Sequence, residues 1–300
     1  MQQKIGVDLG GSDSDQRELL YACEEADFSI RTYVTSSLSS TTVECVRCSD
    51  AITMDDRVLT AVRSKKDSTL IRALSDLRSG EISALVTCSH TGAVVAGASI
   101  YLKRFTSLRH PALLTVLPTQ TGKVIVLDVG AFVSASAKDL LHYAALGASF
   151  AKIDNINSPR LGLLNIAKES GKGTRELKEL DSWLSQNRID RWNYVGNVEP
   201  TAIFAGAVDI LVTSGFVGNI FLKTAEGMIS FMKESSLSQT QPGAALLAGV
   251  RGTIFKCHGN SSREAVLKAI SQAESALSCD LISQLEKEFS TFSTLESYFA

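Results

Sequence analysis

The chain has 300 residues, 44% hydrophobic and 21% charged, with a formal net charge of −2 at pH 7. That length sustains a hydrophobic core without staples, and the apolar to charged balance is that of a globular chain, which excludes a disordered one. Near-neutral charge without a dense basic run also argues against nucleic acid as a partner.

The start, Met1-Gln-Gln-Lys-Ile-Gly-Val-Asp8, runs directly into a short apolar strand, Ile5 to Asp8. It lacks the apolar stretch of a signal peptide, and no later run reaches membrane-spanning length, so a cytoplasmic protein is expected. The cysteines are scattered apart from Cys45 and Cys48, whose C-x-x-C has no second pair or histidine cluster to complete a zinc site. Free thiols in a reducing compartment are the expectation.

Gly10-Gly11-Ser12-Asp13 forms a turn after the first strand, without the G-x-G-x-x-G spacing of a dinucleotide fingerprint. A helix is expected from about Asp15 to Ala26, a surface loop over the Ser/Thr-rich stretch Ser36 to Thr42, and a strand near Val43 to Val46. Arg63-Ser-Lys-Lys-Asp-Ser68 concentrates cations on a solvated face, and the helix Thr69 to Arg78 should end at Gly80. Strand Ala84 to Thr87 enters the loop Cys88-Ser-His-Thr-Gly92, from which a helix of small residues departs at Ala93. Pro111 to Leu117 and Lys123 to Leu127 read as strands around the turn Pro118 to Gly122, followed by Asp128-Val-Gly-Ala131 and a helix from Lys138 to Phe150.

Strand Leu161 to Leu164 leads into the loop Asn165 to Thr174, where Lys168, Lys172 and two glycines precede a helix that reaches Gln186. Backbone amides and cations so placed favour an anion. Trp192 to Val195 is a further strand, with Gly196-Asn-Val-Glu-Pro200 at its end. Ile210 to Val212 has strand character and Ile220 to Met232 helix character, so Thr213 to Asn219 is the expected loop. There Gly215 and Gly218 let the backbone approach a ligand, Asn219 is placed to cap the helix, and Lys223 lies one turn further along the same face. Lys256-Cys-His-Gly259 is another polar strand end, and Ser261-Ser-Arg-Glu264 reads as a capping box for a helix with Val266, Ile270, Ala273 and Leu277 on its apolar stripe.

At least six strands thus alternate with helices, which argues for one α/β domain over residues 1–300 with a doubly wound, largely parallel sheet. Ligands in that architecture bind beyond the carboxyl ends of strands. The loops carrying Asp8, His90, Asp128, Lys172, Asn219 and His258 are at those ends, and one cleft is expected to gather them. The candidate groups are cations, amide donors and glycines. No G-x-S-x-G, H-E-x-x-H or kinase motif set is present, so direct attack of a small anion on a bound electrophile is favoured over covalent catalysis.

Asp8 to Asp13, Lys65-Lys-Asp-Ser68, His90-Thr-Gly92, Val116-Leu-Pro-Thr119, Leu127-Asp-Val-Gly-Ala131, Gly162-Leu-Leu-Asn-Ile166, Lys172-Gly173, Val195-Gly-Asn-Val-Glu199, Gly215-Phe-Val-Gly-Asn219, Leu222-Lys-Thr224 and His258-Gly259 together resemble the PlsX family of phosphate acyltransferases. The resemblance implies a fold similar to isocitrate and isopropylmalate dehydrogenases and phosphotransacetylases. It implies transfer of a fatty acyl group from acyl carrier protein to inorganic phosphate, giving acyl phosphate for phospholipid synthesis. It further implies a homodimer without metal or organic cofactor, and peripheral contact with the inner membrane surface, where a membrane glycerol-3-phosphate acyltransferase uses the product. By motif, Lys172 and Asn219 are the expected catalytic residues. Asp8, Gly11, Lys66, His90, Thr91, Gly92, Asp128, Asn165, Gly215, Gly218 and His258 are the expected substrate- and phosphate-binding ones.

The departures from the family pattern fall in the same loops. Its D-A-M-G-G-D reads Asp8-Leu-Gly-Gly-Ser-Asp13, its N-T-G reads His90-Thr-Gly92, and its D-V-G-A-N reads Asp128-Val-Gly-Ala-Phe132. Its N-I-G-x-E-x-x-K-G reads Asn165-Ile-Ala-Lys-Glu-Ser-Gly-Lys-Gly173, and the Asp before G-F-V-G-N is Ser214. The family's helical hairpin after the helix corresponding to Ile220 to Met232 is replaced by a short polar connector, Lys233 to Pro242. A weakened homologue that binds acyl carrier protein or phosphate, and a phosphotransacylase that uses acyl-CoA, are the alternatives.

Overall fold

A computed structural model describes residues 3–35, 37–233 and 243–292. Ser36 and nearly all of the expected connector Lys233 to Pro242 lie outside the described residues. Residues 1–105 with 243–283 form one compact unit, and residues 106–242 with 284–300 form another.

The first unit opens with β1 (Ile5–Asp8), buried at every position, and α1 (Gln16–Glu25). Asp15 caps α1 by accepting a hydrogen bond from the Arg17 amide at 2.9 Å. Two parallel strands follow, β2 (Ile30–Val34) and β3 (Glu44–Arg47). β2 is additional to the strands expected from sequence, because Arg31 and Thr32 interrupt its apolar pattern. Then come α2 (Val58–Ser64), α3 (Thr69–Ser79), β4 (Ala84–Thr87) and α4 (Thr91–Tyr101). Gly80 ends α3 as expected, in the left-handed region at φ 83°, with its amide on the carbonyls of Asp76 and Leu77.

In the second unit β5 (Ala112–Thr119) and β6 (Gly122–Leu127) form an antiparallel hairpin, with Val116 opposite Ile125. The long helix α5 (Ala137–Ile153) starts from a reciprocal capping box between Ser136 and Asp139. After β7 (Arg160–Leu164), Thr174 caps α6 (Arg175–Gln186). β8 (Asn193–Val198), α7 (Pro200–Phe204), β9 (Ile210–Val212) and α8 (Gly215–Lys233) complete the run. The chain then supplies β10 (Ala245–Ala248), β11 (Thr253–Lys256) and α9 (Arg263–Ser278) to the first unit, and α10 (Leu281–Ser290) follows.

Strand order is β3-β2-β1-β4-β11-β10 in the first unit and β5-β6-β9-β7-β8 in the second. All neighbours within these orders are parallel except β10 with β11 and β5 with β6. Each unit is therefore a mostly parallel α/β layer, as expected. In the first, α3 packs on β1, β2 and β4, whereas α9 packs on β4, β11 and α1. The inner strands β4 and β9 are buried along their length and, apart from Thr87, apolar, as strands covered on both faces are, whereas β3 and β8 at the ends of the two orders carry exposed polar residues.

Several boundaries differ from the sequence reading for local reasons. β8 continues through Gly196, which bends the strand at φ 92°, where an end was expected. Ser262, not Ser261, caps α9, its hydroxyl accepting from the Ala265 amide at 3.3 Å. Ser261 is instead buried, and its carbonyl accepts from the Ser14 hydroxyl at 3.0 Å. The largest difference is α8, which begins at Gly215 and so takes the expected loop residues Gly215 to Asn219 into its first turns.

Candidate functional site

Each unit collects its own polar groups where parallel strands end. In the first, Asp8 closes β1 and is fully buried. Its Oδ2 accepts from the Thr87 hydroxyl at 2.8 Å and the Ser89 hydroxyl at 2.6 Å, while Oδ1, also buried, has no hydrogen-bond partner among the described residues. Gly11 lies against Ser89, closely enough that a Cβ there would overlap the serine hydroxyl. The turn that follows is laced to the end of β11: the Ser12 hydroxyl and the Asp13 amide both donate to the Gly259 carbonyl at 2.8 Å. His258 is half-buried beside this lacing.

His90 is the N-cap of α4, its Nδ1 accepting from the Ala93 amide at 3.4 Å. Thr91 and Gly92 therefore belong to the helix's first turn, two residues earlier than expected, with the imidazole in place of the side-chain oxygen usual at the cap. Lys66 stands apart from them: its Nζ donates to the Tyr101 hydroxyl at 3.1 Å, at the opposite end of α4. The neighbouring Lys65 is held by Asp56 at 2.8 Å and Asp50 at 3.4 Å, so the cation run is a structural brace as well as a solvated face. Thr87 and Ser89, which sequence reasoning did not single out, are the residues that fix Asp8. Their signal was the pattern Thr87-x-Ser89 leaving a buried strand.

The second unit centres on the turn after β6. Asp128 is fully buried, and its carboxylate accepts backbone hydrogen bonds from Leu113, Gly130 and Ala131 on Oδ1 and from Phe132 on Oδ2, at 2.8 to 3.0 Å. Burial pushes its pKa up to about 6, against the opposing pull of these amides. Asp128 thus spends its oxygens on shaping residues 129–132, which places it in the scaffold. Gly215 and Gly218 lie directly on it: a Cβ at Gly215 would meet the Asp128 carboxylate and the Phe132 carbonyl, and one at Gly218 the Asp128 carbonyl. This close approach is what the two glycines supply, and it lets α8 begin early.

Asn165 is likewise committed. Its Oδ1 accepts from the Ile166 amide at 2.8 Å and its Nδ2 donates to the Lys172 carbonyl at 3.1 Å, closing the loop 165–172. Gly173, at φ 90°, turns the chain past that amide into α6. Asn219 does not cap α8, since Ser214 precedes the helix and its carbonyl accepts from the Gly218 amide at 2.8 Å. The Asn219 side chain lies instead against Gly130 and is half-buried. The side chains of Lys172, exposed, and Asn219 make no hydrogen bond to any described residue. Of the residues expected in this unit, the two assigned to chemistry keep free polar heads, whereas Asp128 and Asn165 hold their loops.

A groove of about 730 Å³ opens in the same unit between residues 133–140, the first turn of α6 and the start of α8. Thr174, Thr213 and Ser214 line it beside Val133, Phe216 and Val217; Lys172 and Asn219 are outside its walls. Further along α8, Phe221 stacks on Phe204 at 5.6 Å, and Met228 is 53% exposed, so the apolar residues of this helix divide between packing and surface.

Residues 3–238 match the model of the family described as fatty acid synthesis protein. The phosphate acyltransferase of Exiguobacterium sp. is 35% identical over 274 residues, covering 82% of this chain and 82% of that protein. That of Staphylococcus saprophyticus is 33% identical over 325 residues, covering 96% and 98%. Among solved structures, a branched-chain phosphotransacylase from Enterococcus faecalis superposes with a TM-score of 0.64 at 15% identity, over 91% of this chain and 98% of that one, a likeness of fold. With its motifs, its parallel α/β units and these relatives in agreement, the chain belongs to the PlsX family of fatty acid synthesis proteins.

Proposed function

We propose that this chain transfers a fatty acyl group from the thioester of acyl carrier protein to inorganic phosphate, releasing acyl phosphate for phospholipid synthesis. Family membership and the phosphate acyltransferase names of its relatives support the reaction class. The observation that carries the site assignment is the contrast drawn above: Lys172 and Asn219, at the carboxyl ends of β7 and β9, have side chains free to meet a ligand.

In this reading a phosphate oxygen attacks the thioester carbonyl carbon. The tetrahedral intermediate collapses with cleavage of the C–S bond, and the thiol leaves with a proton from solvent. The Lys172 ammonium offsets the negative charge of phosphate and of the developing oxyanion, and the Asn219 carboxamide donates to the same oxyanion. Gly11, His90, Thr91, Gly92 and His258 belong to the substrate-binding set of the first unit, with Asp8 ordering their loops through Thr87 and Ser89.

The same reading includes a homodimer in the cytoplasm with peripheral contact at the membrane surface. Phe216, Ile220, Met228 and Phe231 support an interface, since each is more than half exposed along α8. No helix among the described residues is long and apolar enough to cross a membrane.

Purified protein with palmitoyl acyl carrier protein and phosphate should yield acyl phosphate, trapped with hydroxylamine and identified by mass spectrometry. Product must depend on phosphate and fall with Lys172→Ala. Folded protein that makes no product from the carrier thioester refutes the reading; product from palmitoyl-CoA alone reassigns the donor. Light scattering at micromolar concentration tests the dimer, which a monomer mass contradicts.

A further inference from the structure

Cys88 and Cys257 directly follow β4 and β11, two neighbouring parallel strands of the first unit. Thr87 is paired with Lys256, so the two cysteines stand opposite one another one step further on, where the Cys257 amide donates to the Thr87 carbonyl at 2.9 Å. Both are buried free thiols, and a hydrogen bond joins their side chains. Cys45 and Cys48, the pair that stands out in the sequence, instead direct their thiols to the carbonyls of Val43 and Val46. We propose that Cys88 and Cys257 form a reversible thiol–disulfide site, closed by a peroxide and reopened by a dithiol, whose closure slows the proposed reaction. The effect on rate, though not the bond itself, rests on the acyl-transfer reading.

Neighbouring strands lie about 4.8 Å apart, within the roughly 4.4–6.8 Å between Cα atoms that a disulfide spans. His258, the residue after Cys257, is half-buried, so the pair lies one residue beneath a partly open rim that a peroxide-sized molecule can pass. Cys257 reacts first. The hydrogen bond from Cys88 lowers its pKa, burial opposes this, and the Lys256 ammonium, whose Nζ donates to the Cys257 carbonyl, adds to the lowering. The same hydrogen bond and burial push the Cys88 thiol up, so it keeps its proton. The Cys257 thiolate attacks one oxygen of hydrogen peroxide, the O–O bond breaks, and the departing hydroxide takes a proton to become water. Cys88 sulfur then attacks the sulfur of the Cys257 sulfenic acid, the S–O bond breaks, and a second water leaves with the Cys88 proton. Two thiols have lost two electrons, and the peroxide is reduced to two waters.

The Cβ atoms of a disulfide stand only about 3.8 Å apart, so closure draws the two strand ends together. Both ends carry the first unit's site. Ser89, next to Cys88, holds the Asp8 carboxylate, and Gly259, two residues past Cys257, receives the Ser12 hydroxyl and the Asp13 amide on its carbonyl. The bond therefore displaces the loops that bear Gly11, His90 and His258.

The test treats the full chain with excess hydrogen peroxide, blocks remaining thiols with N-ethylmaleimide and maps the unreduced peptides by mass spectrometry. A Cys88–Cys257 cross-link is expected, with acyl phosphate formation lowered roughly tenfold or more and restored by dithiothreitol. Cys88→Ser should stop the sequence at a sulfenic acid on Cys257, trapped by dimedone, and Cys257→Ser should keep its rate through peroxide treatment, each with circular dichroism unchanged. Folded wild type that forms no such cross-link, or joins other cysteines instead, overturns the proposal whatever the variants do. A cross-link that leaves the rate unchanged overturns the effect on acyl transfer. Reduced protein that makes no acyl phosphate refutes the transfer reading, while the peptide map still decides whether the bond forms.

Discussion

Gly218 rests on the backbone of Asp128 so closely that a Cβ added there would overlap the Asp128 carbonyl oxygen. The contact seats the first turn of α8 on the turn that follows β6, and with it sets the position of Asn219 against Gly130. Gly218→Ala should therefore push the helix start away, at a cost of about 1–3 kcal/mol of overpacking strain. The expected outcome is a lowered thermal midpoint together with loss of most acyl phosphate formation. A variant with wild-type stability and rate would show that the contact relaxes without consequence.

Lys172 and Asn219 carry a different prediction, since neither supports the fold through hydrogen bonds to described residues. Lys172→Ala and Asn219→Ala should each lower kcat by about a hundredfold or more, the scale of one lost oxyanion donor, while unfolding midpoints stay near wild type. Saturating phosphate keeps the comparison on kcat. Wild-type rates would remove either residue from the mechanism.

Asp128 should act through the scaffold and through pH. Asn in its place keeps one acceptor oxygen but turns an amide group toward backbone donors, so Asp128→Asn should cost at least about 2 kcal/mol. The pH dependence has a definite sign. Burial raises the folded-state pKa to about 6, above the ordinary carboxylate value of about 3.9. Protonation then favours the folded state, so the stability it contributes is complete below about pH 4 and is lost as pH rises through about 6. The stability gap between wild type and Asp128→Asn, measured by urea unfolding, should be wider at about pH 4.5 than at about pH 7.5. A gap that narrows on acidification would mean the backbone amides outweigh burial.

A contrasting ion pair joins the starts of β7 and β9. Arg160 reaches Asp209 with Nη2 at 2.7 Å and Nε at 3.0 Å. Burial pushes the Asp209 carboxyl up, but Arg160 holds it below its ordinary value overall. Its contribution is thus present above the unfolded-state pKa and is lost as pH falls through the lowered folded value. Because Arg160 is 41% exposed, solvent screening limits the pair to about 1 kcal/mol. Arg160→Ala should show that loss near neutral pH, a smaller one below about pH 4, and an unchanged kcat. A marked fall in kcat would tie this end of the strands to the reaction.

The rhythm of strand, glycine-bearing loop and helix is legible residue by residue, because apolar periodicity and turn chemistry are local. That is why β1, β4, β6, β7, β9 and the ends of α3 and α6 fall within a residue or two of expectation. The strand orders are different in kind: Cys257 meets Thr87 only because β11 lies beside β4, a pairing between residues far apart in the chain. Roles within the site also needed the tertiary structure. As letters in a motif, Asp128, Asn165, Lys172 and Asn219 are equally polar and equally suited to phosphate. What separates them is where their hydrogen bonds go. The carboxylate of Asp128 and the amide of Asn165 are consumed by backbone groups brought to them by folding, which turns them into braces, while Lys172 and Asn219 are left with unspent donors. The early start of α8 has the same origin, since Gly215 and Gly218 admit the carboxylate and carbonyl of Asp128 at the first turn of the helix. Sequence by itself determined the family, the reaction class to expect and the loops that carry polar groups. Only the packed structure decided which of those groups are satisfied internally, because that depends on donors and acceptors supplied from distant parts of the chain.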